Sequence, residues 1–229
     1  MVFQIRTSTT STSISKSMSR FSKSISLPKR ILILCEGESE QIYLKGVKKE
    51  THNKNALVEI EMYQPNDFSP LGLFKEAKKK IREANKEYPY YSIWIVFDKD
   101  DHKEINRTFN LAEQNKPIIG IAFSNISFEY WILLHFEKTN RYFKNSEDLI
   151  RYIDRKHHFN YSKTMNIFEA LKDNISIALS NATWLHQQNA FELMQAKPYS
   201  LNSYTNFDQL YSYLQNPMKK PGTQHGRYI

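Results

Sequence analysis

Ile31-Leu32-Ile33-Leu34-Cys35 runs without a spacer into Glu36-Gly37-Glu38-Ser39-Glu40. An unbroken apolar run of this length, followed at once by polar residues, reads as a strand covered on both faces. Behind the acids, Ile42, Tyr43 and Val47 recur at helical spacing and predict a helix from about Ser39 to Glu50. A buried strand that feeds directly into a helix is the first half of a β-α-β unit, so this segment sets the expectation of an α/β chain.

The pattern repeats outward. A second strand is expected at Leu57 to Met62. Ser69-Pro70 has the form of an N-cap and first helical residue, leading into the stripe Leu73, Phe74, Ala77, Ile81 and Ala84. Ser92 to Phe97 is a third strand, Ile105, Phe109 and Ala112 mark a third helix, and Pro117 opens a fourth strand at Ile118 to Phe123. Residues 30–125 are therefore expected to form a mainly parallel sheet flanked by helices. Beyond Ser127 strand signals are absent, and residues 126–216 are expected to be a mostly helical part packed on that core. Its helices are placed at Phe128 to Phe136, Asp148 to His157 with Ser146 as cap, Met165 to Leu179, and Ala182 to Met194. A last helix is expected from Thr205, with Asp208 completing a capping box and Phe207, Leu210, Tyr211 and Leu214 buried. No internal repeat is present.

Residues 1–29 are rich in Ser and Thr and contain no acid, which predicts a flexible basic arm. Residues 217–229 form a basic tail. The net charge of +8 is concentrated in these ends, since residues 1–30 hold six basic side chains and no acid, and Lys219, Lys220 and Arg227 add three. The stretch from 31 to 218 is left near −1. Any electrostatic grip on nucleic acid must come from the ends or from a local groove. The single cysteine, Cys35, cannot form an internal disulfide and points to a reducing, cytoplasmic setting. No apolar stretch approaches the ~20 residues of a membrane span.

Functional side chains in parallel α/β sheets collect where strands end and helices begin. Glu36 and Glu38 follow the first strand, and Asp98, Asp100 and Asp101 follow the third. Continued strand alternation would aim Asp98 and Asp100 at one point and turn Lys99 away. Carboxylates crowded at one edge repel one another unless a divalent cation neutralises them, and Mg2+ or Mn2+ suits an oxygen-rich set of ligands. Glu36, Asp98 and Asp100 are the expected ligands and catalytic residues, with Glu36 available either as a ligand or as general acid/base. The bland alternative for each acid is a helix cap or a solvated loop.

These motifs carry a family resemblance. Ile33-Leu34-Cys35-Glu36-Gly37-Glu38-Ser39-Glu40, Val96-Phe97-Asp98-Lys99-Asp100-Asp101-His102, and Ser124-Asn125-Ile126-Ser127-Phe128-Glu129-Tyr130-Trp131-Ile132-Leu133-Leu134-His135-Phe136-Glu137 together resemble the RloB family of bacterial proteins. The resemblance spans roughly residues 30–215. It implies a Toprim-like fold, occurrence in restriction-modification or phage-defence loci, and a neighbouring ATPase. It also implies that Glu36, Asp98 and Asp100 are the metal and acid/base residues. Where Toprim topoisomerases and primases carry a third aspartate this chain has His102, as RloB-like chains usually do. The family's Asn-Pro is Asn125-Ile126 here, and a C-terminal Asn-Pro-Ser-Thr-like element reads Asn202-Ser203-Tyr204-Thr205.

Other residues are weighed against plainer roles. Glu129, among apolar neighbours, is either a further ligand or a partner for backbone donors near Asn125. His102 is a possible catalytic residue if the extended path from Asp98 continues. His135, also a possible catalytic residue, shares a helical face with Phe128, Trp131 and Ile132 and more often has a packing role. Glu38, Glu40 and Asn125 stand as candidate substrate contacts. Cys35 should be a buried thiol and Thr205 a helix cap. The expected function is a metal-dependent nuclease cleaving RNA (tRNA included) or DNA as the effector of a phage-defence or abortive-infection system. The alternatives are nucleotidyl transfer and a silent subunit docking on a partner ATPase. No Gly-x-x-x-x-Gly-Lys-Ser/Thr loop is present, so ATP hydrolysis would belong to the partner. Homo-oligomerisation is left open.

Overall fold

A computed structural model describes residues 27–54, 58–201 and 203–217. The elements run β1 (Lys29–Cys35), α1 (Glu38–Lys54), β2 (Val58–Tyr63), α2 (Pro70–Glu83), β3 (Ser92–Asp98), α3 (Ile105–Gln114) and β4 (Ile119–Asn125). They continue with α4 (Glu129–Leu134), α5 (Ser146–His157), α6 (Ile167–Leu171), α7 (Ile175–Leu193), β5 (Tyr204–Thr205) and α8 (Phe207–Gln215). The basic arm, the basic tail, Leu57 and Asn202 fall mainly or wholly outside the described residues.

The sheet has the order β2-β1-β3-β4-β5. The first four strands are parallel, and β5 runs antiparallel beside β4. The chain is thus α/β, a mostly parallel sheet with flanking helices followed by a helical C-terminal region, as its sequence predicts. Both faces of the sheet are covered. Ile31, Ile33 and Cys35 point to the face packed by α1 and α4 through α8, while Leu32 and Leu34 point to the face packed by α2 and α3. All five are at most 1% exposed, and each fully buried aliphatic side chain contributes roughly 1.5–3 kcal/mol of burial free energy. Tyr43 of α1 sits at the centre of the first face, with its ring edge-on to Phe128, Trp131, Phe168 and Phe207.

Ser69 caps α2 as expected, its hydroxyl accepting the Gly72 amide at 3.1 Å. Five expectations are corrected. The cap of α5 is Asn145, whose side chain accepts the Asp148 amide at 2.9 Å, and Ser146 is already helical. The expected helices at Met165 to Leu179 and Ala182 to Met194 are instead the short α6, a 3-10 turn at Lys172–Asn174 and one long α7. Asn181, in the gap between the two expected helices, is buried inside α7, where its amide donates to the Leu134 carbonyl at 2.8 Å. The C-terminal part also supplies a strand, β5, and the last helix begins at Phe207, two residues later than expected. Asp208 pairs with His186 at 3.0 Å, so the expected capping box does not form. The Thr205 hydroxyl accepts the Phe207 amide at 3.3 Å and bonds Ser124 at 3.0 Å.

Asn206 fastens this return to the sheet. Its side-chain oxygen accepts the Phe123 amide at 2.7 Å, and its side-chain nitrogen donates to the Ile121 carbonyl at 2.9 Å. The helical region is thereby fixed to the edge of β4 next to the strand ends.

Candidate functional site

The strand order places β1 between β2 and β3, so the connections leaving β1 and β3 diverge and open a crevice at their carboxyl ends, where α/β sheets bind ligands. Register sharpens the placement. Cys35 pairs with Val96, and the Glu36 amide donates to the Val96 carbonyl at 2.9 Å. Glu36 therefore leaves the sheet beside Phe97 and Asp98. After β3 the Lys99 amide donates to the Ser124 carbonyl at 2.9 Å, and the chain then turns at Asp100, whose φ is 30°. The extended path assumed for Asp98 and Asp100 ends there, and the turn folds Asp100 and His102 back over Glu36.

Glu36, Asp100 and His102 each present a ligand atom within 4.8 Å of the other two. His102 Nε2 lies 2.6 Å from Glu36 Oε1, while Oε2 of Glu36 is buried and has no hydrogen-bond partner among the described residues. Burial raises the Glu36 carboxyl above its ordinary value, against the pull of His102. Asp98 lies outside this group of three. Its Oδ2 accepts the Phe128 amide at 3.0 Å, at the entry to α4. Burial, then Glu40 and Glu129, push its carboxyl well above the usual range.

Glu40 and Glu129 complete the acid-rich crevice from two helices. Glu40 is 3% exposed, and burial with the adjacent charges of Glu129 and Glu36 pushes it up to about 8. Its carboxylate folds back over Gly37, where an added Cβ would lie 2.8 Å from Cδ and 2.9 Å from Oε1, so any side chain at position 37 would force the Glu40 carboxylate to move. Glu129 is held at both oxygens: Ser127 donates its hydroxyl to Oε2 at 2.6 Å, and Tyr161 donates to Oε1 at 2.8 Å. The Ser39 hydroxyl meets the Tyr161 hydroxyl at 2.9 Å, tying the start of α1 to Glu129. These bonds run to side-chain hydroxyls, away from the backbone donors near Asn125 expected as one of its roles.

The remaining sequence-derived residues lie elsewhere or act in the fold. Glu38 is exposed on the first turn of α1. Asn125 is buried in β4 and donates its amide to the Leu201 carbonyl, and the peptide bond to Ile126 is cis. His135 is fully buried, with Nδ1 2.9 Å from the Trp131 carbonyl oxygen and Nε2 3.2 Å from the Tyr43 hydroxyl. Burial lowers its pKa to about 4. Cys35 is buried at the end of β1, where burial raises its thiol. Ser39, Ser127 and Tyr161 were not singled out by sequence. Ser39 and Ser127 at least flank the acidic motifs, whereas Tyr161 sits in a connection with no periodicity to flag it.

Carboxylates delivered by two strand ends and two helix starts to the switch point of a mainly parallel sheet define an α/β protein with an acid-lined crevice. Residues 31–214 match the family described as RloB-like protein, and the chain belongs to that family. No curated protein matches the chain.

Proposed function

We propose that this chain is a nuclease that depends on Mg2+ or Mn2+ and hydrolyses phosphodiester bonds of RNA or DNA. The observation that carries the reading is the approach of ligand atoms of Glu36, Asp100 and His102 to within 4.8 Å, backed by the buried acids Glu40 and Glu129 and the half-buried Asp98. Acids crowded this closely, with burial and then neighbouring charge raising the carboxyls of Glu36, Glu40 and Asp98, and with Glu36 Oε2 unpartnered among the described residues, fit a divalent cation, which would offset the cost of holding negative charge there. Glu36, Asp100 and His102 would hold the ion, with Asp98 beside them. Such an ion, when bound, polarises a phosphoryl oxygen and lowers the pKa of its water.

The chain's own groups set the geometry. His102 Nε2 and Glu36 Oε1 are hydrogen-bonded at 2.6 Å, which keeps both ligands aimed at one point. Glu40, protonated near neutral pH, can deliver or accept a proton within the crevice without adding a permanent charge. Ser127 and Tyr161 fix Glu129 at both oxygens, so its carboxylate cannot swing away. Membership of the RloB-like family supports an effector role in phage defence or abortive infection, with a partner ATPase as the trigger. Among the described residues no helix is long and apolar enough to cross a membrane, which agrees with action on cytoplasmic nucleic acid.

Purified protein, alone and with any ATPase encoded beside it, is incubated with total RNA, tRNA, plasmid and single-stranded DNA, with and without Mg2+ or Mn2+. Metal-dependent cleavage that Asp98→Ala abolishes is the expected result and identifies the substrate class. Absence of cleavage in every combination refutes the nuclease and leaves a silent docking subunit. Chain extension from nucleoside triphosphates assigns nucleotidyl transfer instead.

A further inference from the structure

The connection between α4 and α5, together with α5 itself, forms a groove of about 510 Å³ that the acid-lined crevice does not use. Arg141, Tyr142 and Lys144 line it from the connection, and Arg151, Tyr152 and Arg155 from the helix. Lys156 completes the cations, and Asp148 is the only acid in the lining. Arg151 is occupied by Asp148 and Lys156 by Glu137. Arg141 spends its charge on rings, 4.6 Å from the centroid of Tyr152 and 5.6 Å from that of Phe143. Lys144 and Arg155 make no ion pair among the described residues. With Glu137 counted, the groove holds three more positive than negative side chains, in a stretch of chain whose net charge is near −1.

Tyr142 stands among these cations with 61% of its surface exposed. A large aromatic ring left in water beside unpaired cations is a platform for a flat ligand whose neighbouring groups are anionic. The groove adjoins the elements that carry the acids. Tyr130, next to Glu129 in α4, packs on Phe143 with centroids 6.3 Å apart, and Asp154 of α5 accepts the Tyr161 amide at 2.8 Å.

We propose that this groove binds a single-stranded polynucleotide, its cations on successive phosphates and a base stacked on Tyr142. A single strand fits where a duplex does not, because only unpaired bases offer a free face to an exposed ring. The proposal rests on the nuclease reading for its purpose: an acid-lined crevice repels a polyanion, so a cleaving enzyme needs a separate cationic grip.

The test is fluorescence anisotropy of a labelled uridine dodecamer with the full-length protein in EDTA, titrated at several salt concentrations beside a duplex of equal length. Lys144→Glu/Arg155→Glu is expected to weaken binding at least about tenfold and to flatten the salt dependence by about 1.4 in log-log slope, two phosphate contacts at ~0.7 each. Lys144→Arg/Arg155→Lys, which keeps both charges, should stay within about threefold of wild type. Tyr142→Ala should weaken the single strand about 5- to 150-fold and leave the duplex unchanged. These side chains are exposed, and matching circular dichroism melts confirm that the variants fold. Absence of binding by the wild type overturns the proposal, as does binding that charge reversal leaves intact, which would place the contact on the basic ends. Because EDTA prevents cleavage, the two readings fail separately. Binding through the groove without cleavage of any substrate sinks only the nuclease, and cleavage indifferent to the groove variants sinks only the groove.

Discussion

Replacing Gly37 by alanine isolates the packing that shapes the acid-lined crevice. The new methyl would sit 2.8 Å from Cδ and 2.9 Å from Oε1 of Glu40, inside any distance that carbon and these atoms adopt. Glu40 is 3% exposed and folded back on the start of α1, so its carboxylate must shift within a closely packed position. Overpacking of this kind costs about 1–3 kcal/mol. At about 2–4 °C per kcal/mol for a chain of this size, the melting temperature should fall by about 2–12 °C. The assay is a double-mutant cycle in urea, with Glu40→Ala as the second substitution. Removing the carboxylate should relieve the clash, so Gly37→Ala in the Glu40→Ala background should cost less than about 0.5 kcal/mol, or stabilise slightly through the lost flexibility of the unfolded chain. Equal cost in both backgrounds would refute the reasoning, because Glu40 would then not be the group that excludes a side chain from position 37.

Further outcomes are expected. Glu40 carries a folded-state pKa of about 8 against 4.5 unfolded, so its proton-linked stability is complete below pH 4.5 and is lost as pH rises through about 8. Metal-free wild type should therefore unfold at less urea at pH 8.5 than at pH 5.5, and Glu40→Gln should show a shallower fall; parallel pH curves would contradict this. Mn2+ at one hundred times its dissociation constant should add about 2.7 kcal/mol, a rise of roughly 5–11 °C in melting temperature. Glu36→Gln and Asp100→Asn should each abolish most of that rise, and an undiminished shift in both would remove them from the ion's ligands. Asn206→Ala leaves the Phe123 amide and the Ile121 carbonyl without partners and should cost about 2–5 kcal/mol in a urea melt. A loss under about 0.5 kcal/mol would show that water replaces both bonds.

The fold was legible wherever a residue's environment follows from its neighbours in sequence. β1, β3 and β4 are apolar runs covered on both faces, and α2 announces itself through Ser69-Pro70. Legibility failed where distant contacts decide. β5 is two residues long and exists because Ser124 and Asn125 offer it a partner. The continuity of α7 depends on a carbonyl of α4 that satisfies Asn181. In the site, Glu36 and Asp98 were found because they end strands. Asp100 and His102 were found on the assumption of strand alternation, whereas a turn with positive φ delivers them. Glu40 and Glu129 were noticed as acids, but their convergence depends on how α1 and α4 dock, and Tyr161 gave no local sign at all.

The two borders of the sheet have unlike finishes with one effect. Beside β4, the short antiparallel β5 pairs Ser124 and Asn125 before turning into α8, and the Asn206 side chain takes the Phe123 amide and the Ile121 carbonyl, which shortens the edge open to a foreign strand. At the other border β2 alternates in Glu59 and Glu61, held outward by Tyr88 on the one and by Arg30 and Tyr90 on the other. Two carboxylates on an edge strand discourage edge-to-edge pairing with a second copy.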